Sequence, residues 1–139
     1  MSVHNLTKTR VIFADTDAMG IVYHTNYIKW FEIGRNEIMR QLGLPYTEVA
    51  KLGYNLPLTK VGCHYLLAAK YDQVILIETE FDYIKRASIK FNYNIWDERK
   101  TNHLAEGYTI HACINFEGKV RRIPQTILDL LNKYNIKGE

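Results

Sequence analysis

Serine is nearly missing from this chain. Only Ser2 and Ser88 occur among 139 residues. No Gly-x-Ser-x-Gly elbow surrounds either one, which removes the serine hydrolases from consideration. Cysteine is scarce as well: Cys63 and Cys113 make neither a disulfide framework nor a metal cluster. The five histidines, His4, His24, His64, His103 and His111, never fall at His-x-x-x-His spacing. No zinc site is expected from them, and the chain is expected to need no metal and no cofactor. No apolar run approaches the roughly 20 residues that span a bilayer, and no basic-then-apolar leader opens the sequence. The expectation is a cytoplasmic protein without an integral membrane segment. A net charge of +3 is too mild, and its cations too scattered, for a nucleic-acid binder.

With three prolines and eight glycines, the chain also lacks any linker, repeat or low-complexity tract. A single domain over 1–139 is expected, large enough to bury one core. Thr7 to Phe13 reads as a first strand. A helix is predicted from about His24 to Leu42, with Tyr27, Phe31, Gly34, Ile38 and Leu42 on one side. Lys29, Glu32, Asn36 and Arg40 fall on the other side, and Gly43 followed by Pro45 stops the helix. Gly34 within the apolar stripe costs about 1 kcal/mol against alanine, so a sheet is expected to approach closely there.

After a short helical or irregular piece, Tyr46 to Gly53, the period changes to two. Val61 to Tyr71, Ile77 to Tyr83, Ile89 to Ile95 and Tyr108 to Phe116 read as half-buried antiparallel strands. In the last of these, Tyr108, Ile110, Ala112, Ile114 and Phe116 form the apolar set, and Thr109, His111, Cys113 and Asn115 the polar one. Pro124 opens a final short helix. One strand, a long helix and four more strands give an α+β domain, an antiparallel sheet packed on one helix.

The chemistry concentrates between Phe13 and Tyr27. Asp15 and Asp17 follow the first strand, Gly20 makes a turn, and His24 stands where the helix begins. A carboxylate beside the positive end of a helix suits hydrolysis of an activated carbonyl, since the helix end polarises the oxygen while the carboxylate attacks or activates water. Turn chemistry alone also explains Asp-x-Asp before a glycine. The order of residues decides between the two. Asp15, Thr16, Asp17, Gly20, Val22, Tyr23, His24, Asn26 and Tyr27 together resemble the active-site signature of the 4-hydroxybenzoyl-CoA thioesterase family, particularly its bacterial acyl-CoA thioesterase branch.

That resemblance implies a hot-dog fold, a five-stranded sheet wrapped around the long helix. It implies an acyl-CoA thioesterase in which Asp17 is nucleophile or general base and His24 belongs to the site. The backbone amides of Tyr23 and His24 would bind the oxyanion. Asp15 reads as a turn or cap residue. Relatives often carry tyrosine where Phe13 stands, which puts one helper hydroxyl in doubt. Lys85 and Arg86, between two strands, match family positions that contact coenzyme A phosphates, and Arg121 and Arg122 are weaker candidates. Two other readings stay open: a non-catalytic acyl-CoA-binding module and a hydroxyacyl-thioester dehydratase. A homo-oligomer, dimer or tetramer, is expected because a five-stranded sheet has edges to cover and hot-dog sheets join edge to edge.

Overall fold

The computed structural model describes residues 3–134. The elements run β1 (His4–Arg10), a 3-10 turn (Phe13–Asp15), α1 (Thr25–Gln41), α2 (Tyr46–Lys51), β2 (Tyr54–Asn55) and β3 (Leu58–Tyr65). They continue with β4 (Val74–Ile84), β5 (Ser88–Asp97), β6 (His103–Ala112), β7 (Ile114–Asn115) and α3 (Gln125–Asn132). Five strands form one antiparallel sheet in the order β1-β4-β5-β6-β3, and β2 pairs with β7 apart from it. The sheet wraps α1, which is the hot-dog arrangement expected. Among the described residues no helix is long and apolar enough to cross a membrane.

The buried stripe of α1 contains all the expected positions, Tyr27, Phe31, Gly34, Ile38 and the following Leu42, and adds Trp30 and Met39. Gly34 lies against β4. A Cβ built there would run into Thr79 Oγ1 and stand 2.8 Å from Ile77 Cγ2. The predicted cause of this glycine is therefore the real one. Further along the sheet, Phe31 stacks on Tyr93 with ring centroids 4.4 Å apart, above Gly107 of β6.

Three expectations need correction. The first strand begins at His4 and ends at Arg10, because Asp15 Oδ2 accepts the Ile12 N–H (3.1 Å) and winds the chain into the 3-10 turn. The strand predicted from Val61 to Tyr71 starts earlier, at Leu58, and stops at Tyr65. Leu66 and Leu67 both donate to the Leu104 carbonyl, which bends the chain away toward the Asp17 loop. In β6 the facing is reversed. Thr109, His111 and, just past the strand's end, Cys113 point inward and are buried, while Tyr108, Ile110 and Ala112 lie on the outer face. The register explains it: Phe91 and Tyr93 of β5 pair with Thr109 and Gly107, and their rings already fill the space under α1. Small or polar partners complete that layer, and each polar one is hydrogen-bonded.

Candidate active site

Between the 3-10 turn and α1, the chain makes a tight loop closed by a bridge between Thr16 and Val22. Asp17 N–H donates to the Ile21 carbonyl (2.9 Å), and Gly20 N–H to the Asp17 carbonyl (3.1 Å). Gly20 takes φ +78°, a left-handed value that side chains disfavour. The Asp17 carboxylate accepts the Met19 N–H (2.8 Å) and is half-buried. One oxygen thus holds the turn, while the other accepts no hydrogen bond among the described residues.

Asp15 is the anchor of this loop. It is buried, accepts Ile12 N–H, and receives Lys29 Nζ at 2.5 Å from the second turn of α1. Its carbonyl accepts from Asn26 Nδ2 (2.8 Å) and from the Tyr23 N–H (2.9 Å). The turn residue of the sequence reading therefore also ties the loop to the helix through both its side chain and its backbone. Lys29 carried no signal in the sequence, since a lysine on a helix face is normally a solvated one.

The start of α1 has no side-chain cap and no acidic residue in its first turn. Asn26 N–H bonds back to the Tyr23 carbonyl and Tyr27 N–H to that of His24. Tyr23 N–H is taken by Asp15, so of the two amides expected at the oxyanion end it is His24 that keeps a free N–H. No hydrogen bond among the described residues uses it. His24 is exposed, with its ring tilted against Tyr23 (4.4 Å) and edge-on to Tyr65 (6.4 Å). No hydrogen bond among the described residues joins it to Asp17.

Tyr65, at the end of β3, donates its O–H to the His24 carbonyl (2.9 Å). Desolvation pushes its pKa up to about 12, which keeps it a donor. Its ring also meets Tyr27, whose hydroxyl accepts the Ala69 N–H (3.1 Å). Alternation in the sequence reads Tyr65 as one more half-buried strand residue, so this tie between sheet edge and helix start was not foreseen. Phe13 stands exposed against Tyr71, ring centroids 5.9 Å apart.

Lys85 and Arg86 lie elsewhere. They form the β4–β5 turn, in which Lys85 N–H bonds the Ser88 carbonyl, at the sheet end opposite to the Asp17 loop. The 11 residues of β4 put about 30 Å between the two ends. Ile123 N–H donates to the Arg86 carbonyl, which draws Arg122 in beside both cations around a groove of about 820 Å³. Arg121 instead turns its guanidinium to the Val120 carbonyl.

The Thioesterase-like superfamily profile matches residues 11–131. The chain belongs to that superfamily. It is 32% identical over 115 residues to the acyl-CoA thioesterase YbgC of Haemophilus influenzae, covering 82% of each chain. The crystal structure of a hypothetical protein from Aquifex aeolicus superposes with a TM-score of 0.85 at 31% identity, over 91% of this chain and 98% of that one. The crystal structure of a DHNA-CoA thioesterase from Staphylococcus aureus gives 0.86 at 27% identity, over 95% of this chain and 89% of that one. The matched span includes the Asp17 loop, the start of α1 and the residues Lys85, Arg86 and Arg122.

Proposed function

We propose that this protein hydrolyses acyl-CoA thioesters to a free acid and coenzyme A. The observation that carries the reading is the uncapped start of α1, which directly follows a loop whose hydrogen bonds fix the Asp17 carboxylate. A thioester oxygen placed at the His24 N–H gains a hydrogen bond and the positive end of the helix. Asp17 then either takes a proton from the attacking water or attacks the carbonyl itself. In the first route, water oxygen bonds to carbon, the C–S bond breaks, and the proton reaches the departing thiolate. In the second, an Asp17 oxygen bonds to the carbonyl carbon as the C–S bond breaks, and the thiolate leaves to take up a proton. Water then cleaves the acyl–Asp17 anhydride to the free acid and the carboxylate. In this reading His24, exposed beside the amide, orients water or substrate.

The cationic groove of Lys85, Arg86 and Arg122 suits coenzyme A phosphates, because guanidinium groups bind them through paired donors. About 30 Å separates that groove from Asp17 of the same chain. A second copy removes the gap. β3 is an edge strand, with Leu58, Val61 and Tyr65 exposed along it. Its Tyr65 end holds His24, and its Leu58 end adjoins His111 and the basic turn. Two β3 strands joined antiparallel about a two-fold axis exchange these ends. Each reaction centre then faces its partner's basic groove, and pairs of such dimers form the expected tetramer.

The test is turnover of Asp17→Asn on a panel of acyl-CoA esters, followed by thiol release and by mass of the product. Asparagine keeps the Met19 hydrogen bond, so folding should persist while kcat falls on the order of 10²–10⁴. Retained turnover would defeat the carboxylate mechanism. An enoyl product, or tight binding without thiol release from the wild type, would replace hydrolysis by dehydration or by a binding module.

A further inference from the structure

A second cavity lies about three helical turns along α1 from His24, on the side of the helix that faces β5 and β6. It measures about 360 Å³, with Met39, Leu44 and Val49 on its walls and Phe91, Arg35 and His111 reaching into it. Its polar groups form one directional chain. A carbonyl can only accept, so His111 Nδ1–H donates to the Leu56 oxygen (3.0 Å). Nε2 is therefore an acceptor and takes the Thr109 hydroxyl (2.9 Å). Thr109 Oγ1 in turn accepts the Tyr93 O–H at 2.6 Å, and Tyr93 Oη faces Arg35 Nη1 at 3.5 Å.

Every member of that chain is satisfied except the guanidinium. Its one ion-pair partner among the described residues is Glu32, 3.8 Å away with a side chain 65% exposed. Among the described residues nothing else takes a hydrogen bond from Arg35, whose own side chain is only 20% exposed. The cavity thus offers the unused N–H donors of one guanidinium beside hydrocarbon walls. A purely aliphatic occupant would strip water from the cation and give nothing back.

We infer that this cavity is the acyl subsite for thioesters whose acyl chain is short and ends in a carboxylate, which Arg35 receives. This rests on the thioesterase reading above and on the two-fold exchange of β3 ends. Leu56, just before β3, belongs to the end that meets the partner's Asp17 loop, so the subsite of one chain serves the reaction centre of the other. The size agrees, since 360 Å³ is at the small end for ligand pockets and holds a few methylenes and a carboxylate.

Adipyl-CoA and hexanoyl-CoA, equal in chain length and differing in the terminal group, test this. The wild type should favour adipyl-CoA in kcat/KM, and Arg35→Gln should shrink that preference on the order of 10- to 100-fold. Arg35→Lys, which keeps the charge and loses the fork, should fall between. Melting temperatures establish that each variant folds, and Arg35→Lys carries the comparison if Arg35→Gln does not. Free adipate should bind the wild type in calorimetry and bind Arg35→Gln far less well, with hexanoate insensitive to the change. A wild type that favours hexanoyl-CoA and ignores adipate overturns the subsite. Arg35-dependent adipate binding without hydrolysis of any thioester upholds the subsite and overturns the thioesterase reading instead.

Discussion

Two carboxylates two residues apart carry different duties. In the proposed mechanism Asp17 presents an oxygen to substrate, whereas Asp15 is buried and spends both oxygens on Lys29 and the Ile12 N–H. Asp15→Asn keeps the shape and loses the charge that Lys29 pairs with. It should lower stability by about 1–3 kcal/mol, read as a lower melting temperature, with a smaller loss of kcat than Asp17→Asn. A larger kcat loss at Asp15 with unchanged stability would reverse the two roles. His111 gives a pH prediction. Desolvation, helped by the Arg35 charge, lowers its pKa from 6.5 to about 4. A depressed folded pKa contributes stability that is complete above 6.5 and lost as pH falls toward 4. The wild type should therefore lose on the order of 2–3 kcal/mol across that window from this group alone. His111→Gln, which cannot take up the proton, should start less stable at pH 7.5 and converge on the wild type near pH 4. Parallel melting curves across the window would show that His111 is not the titrating group.

At the scale of elements, Gly34 is the clearest meeting of sequence and structure. Helix propensity alone favours alanine there by about 1 kcal/mol. The sheet overrules it, because the added methyl meets Thr79 and Ile77 in a layer with no slack. Gly34→Ala should therefore be net destabilising by about 1–3 kcal/mol in denaturant unfolding. A stabilised variant would show that α1 can lift off β4 freely. The helix was legible because its stripe, stop signals and glycine all follow from local periodicity. β6 was not, because its facing depends on its neighbour. Rings at Phe91 and Tyr93 use up the volume, and the inward places go to Thr109 and His111, which polarity would have sent to solvent. The end of β3 was hidden for a related reason: Leu66 and Leu67 continue the alternation, but both N–H groups go to Leu104. At the site, the order of residues from Asp15 to Tyr27 was visible. Which amide stays free was not, since that turns on the hydrogen bond from Tyr23 to the Asp15 carbonyl.

On the scale of the whole molecule, the two halves of the proposed site sit at opposite ends of one sheet, so a single chain and a dimer make different forecasts. Light scattering should give a dimer or tetramer at micromolar concentration, because β3 leaves exposed apolar residues and an unpaired edge. Complementation is the sharper measurement. Let one variant carry Asp17→Asn and another carry Lys85→Ala with Arg86→Ala, each weak alone at low substrate. If Asp17 of one chain works with the basic groove of its partner, a mixed dimer has one site with both defects and one with neither. Random pairing makes half of the dimers mixed, so co-expression should restore about a quarter of the wild-type sites. These restored sites should show the wild-type KM, since both the carboxylate and the phosphate contacts are intact in them. If instead each chain holds a complete site, every site in the mixture keeps one defect, and no activity returns above the average of the two variants. The same outcome, with a dimer confirmed by light scattering, would mean that the β3 edge does not exchange the ends of the sheet.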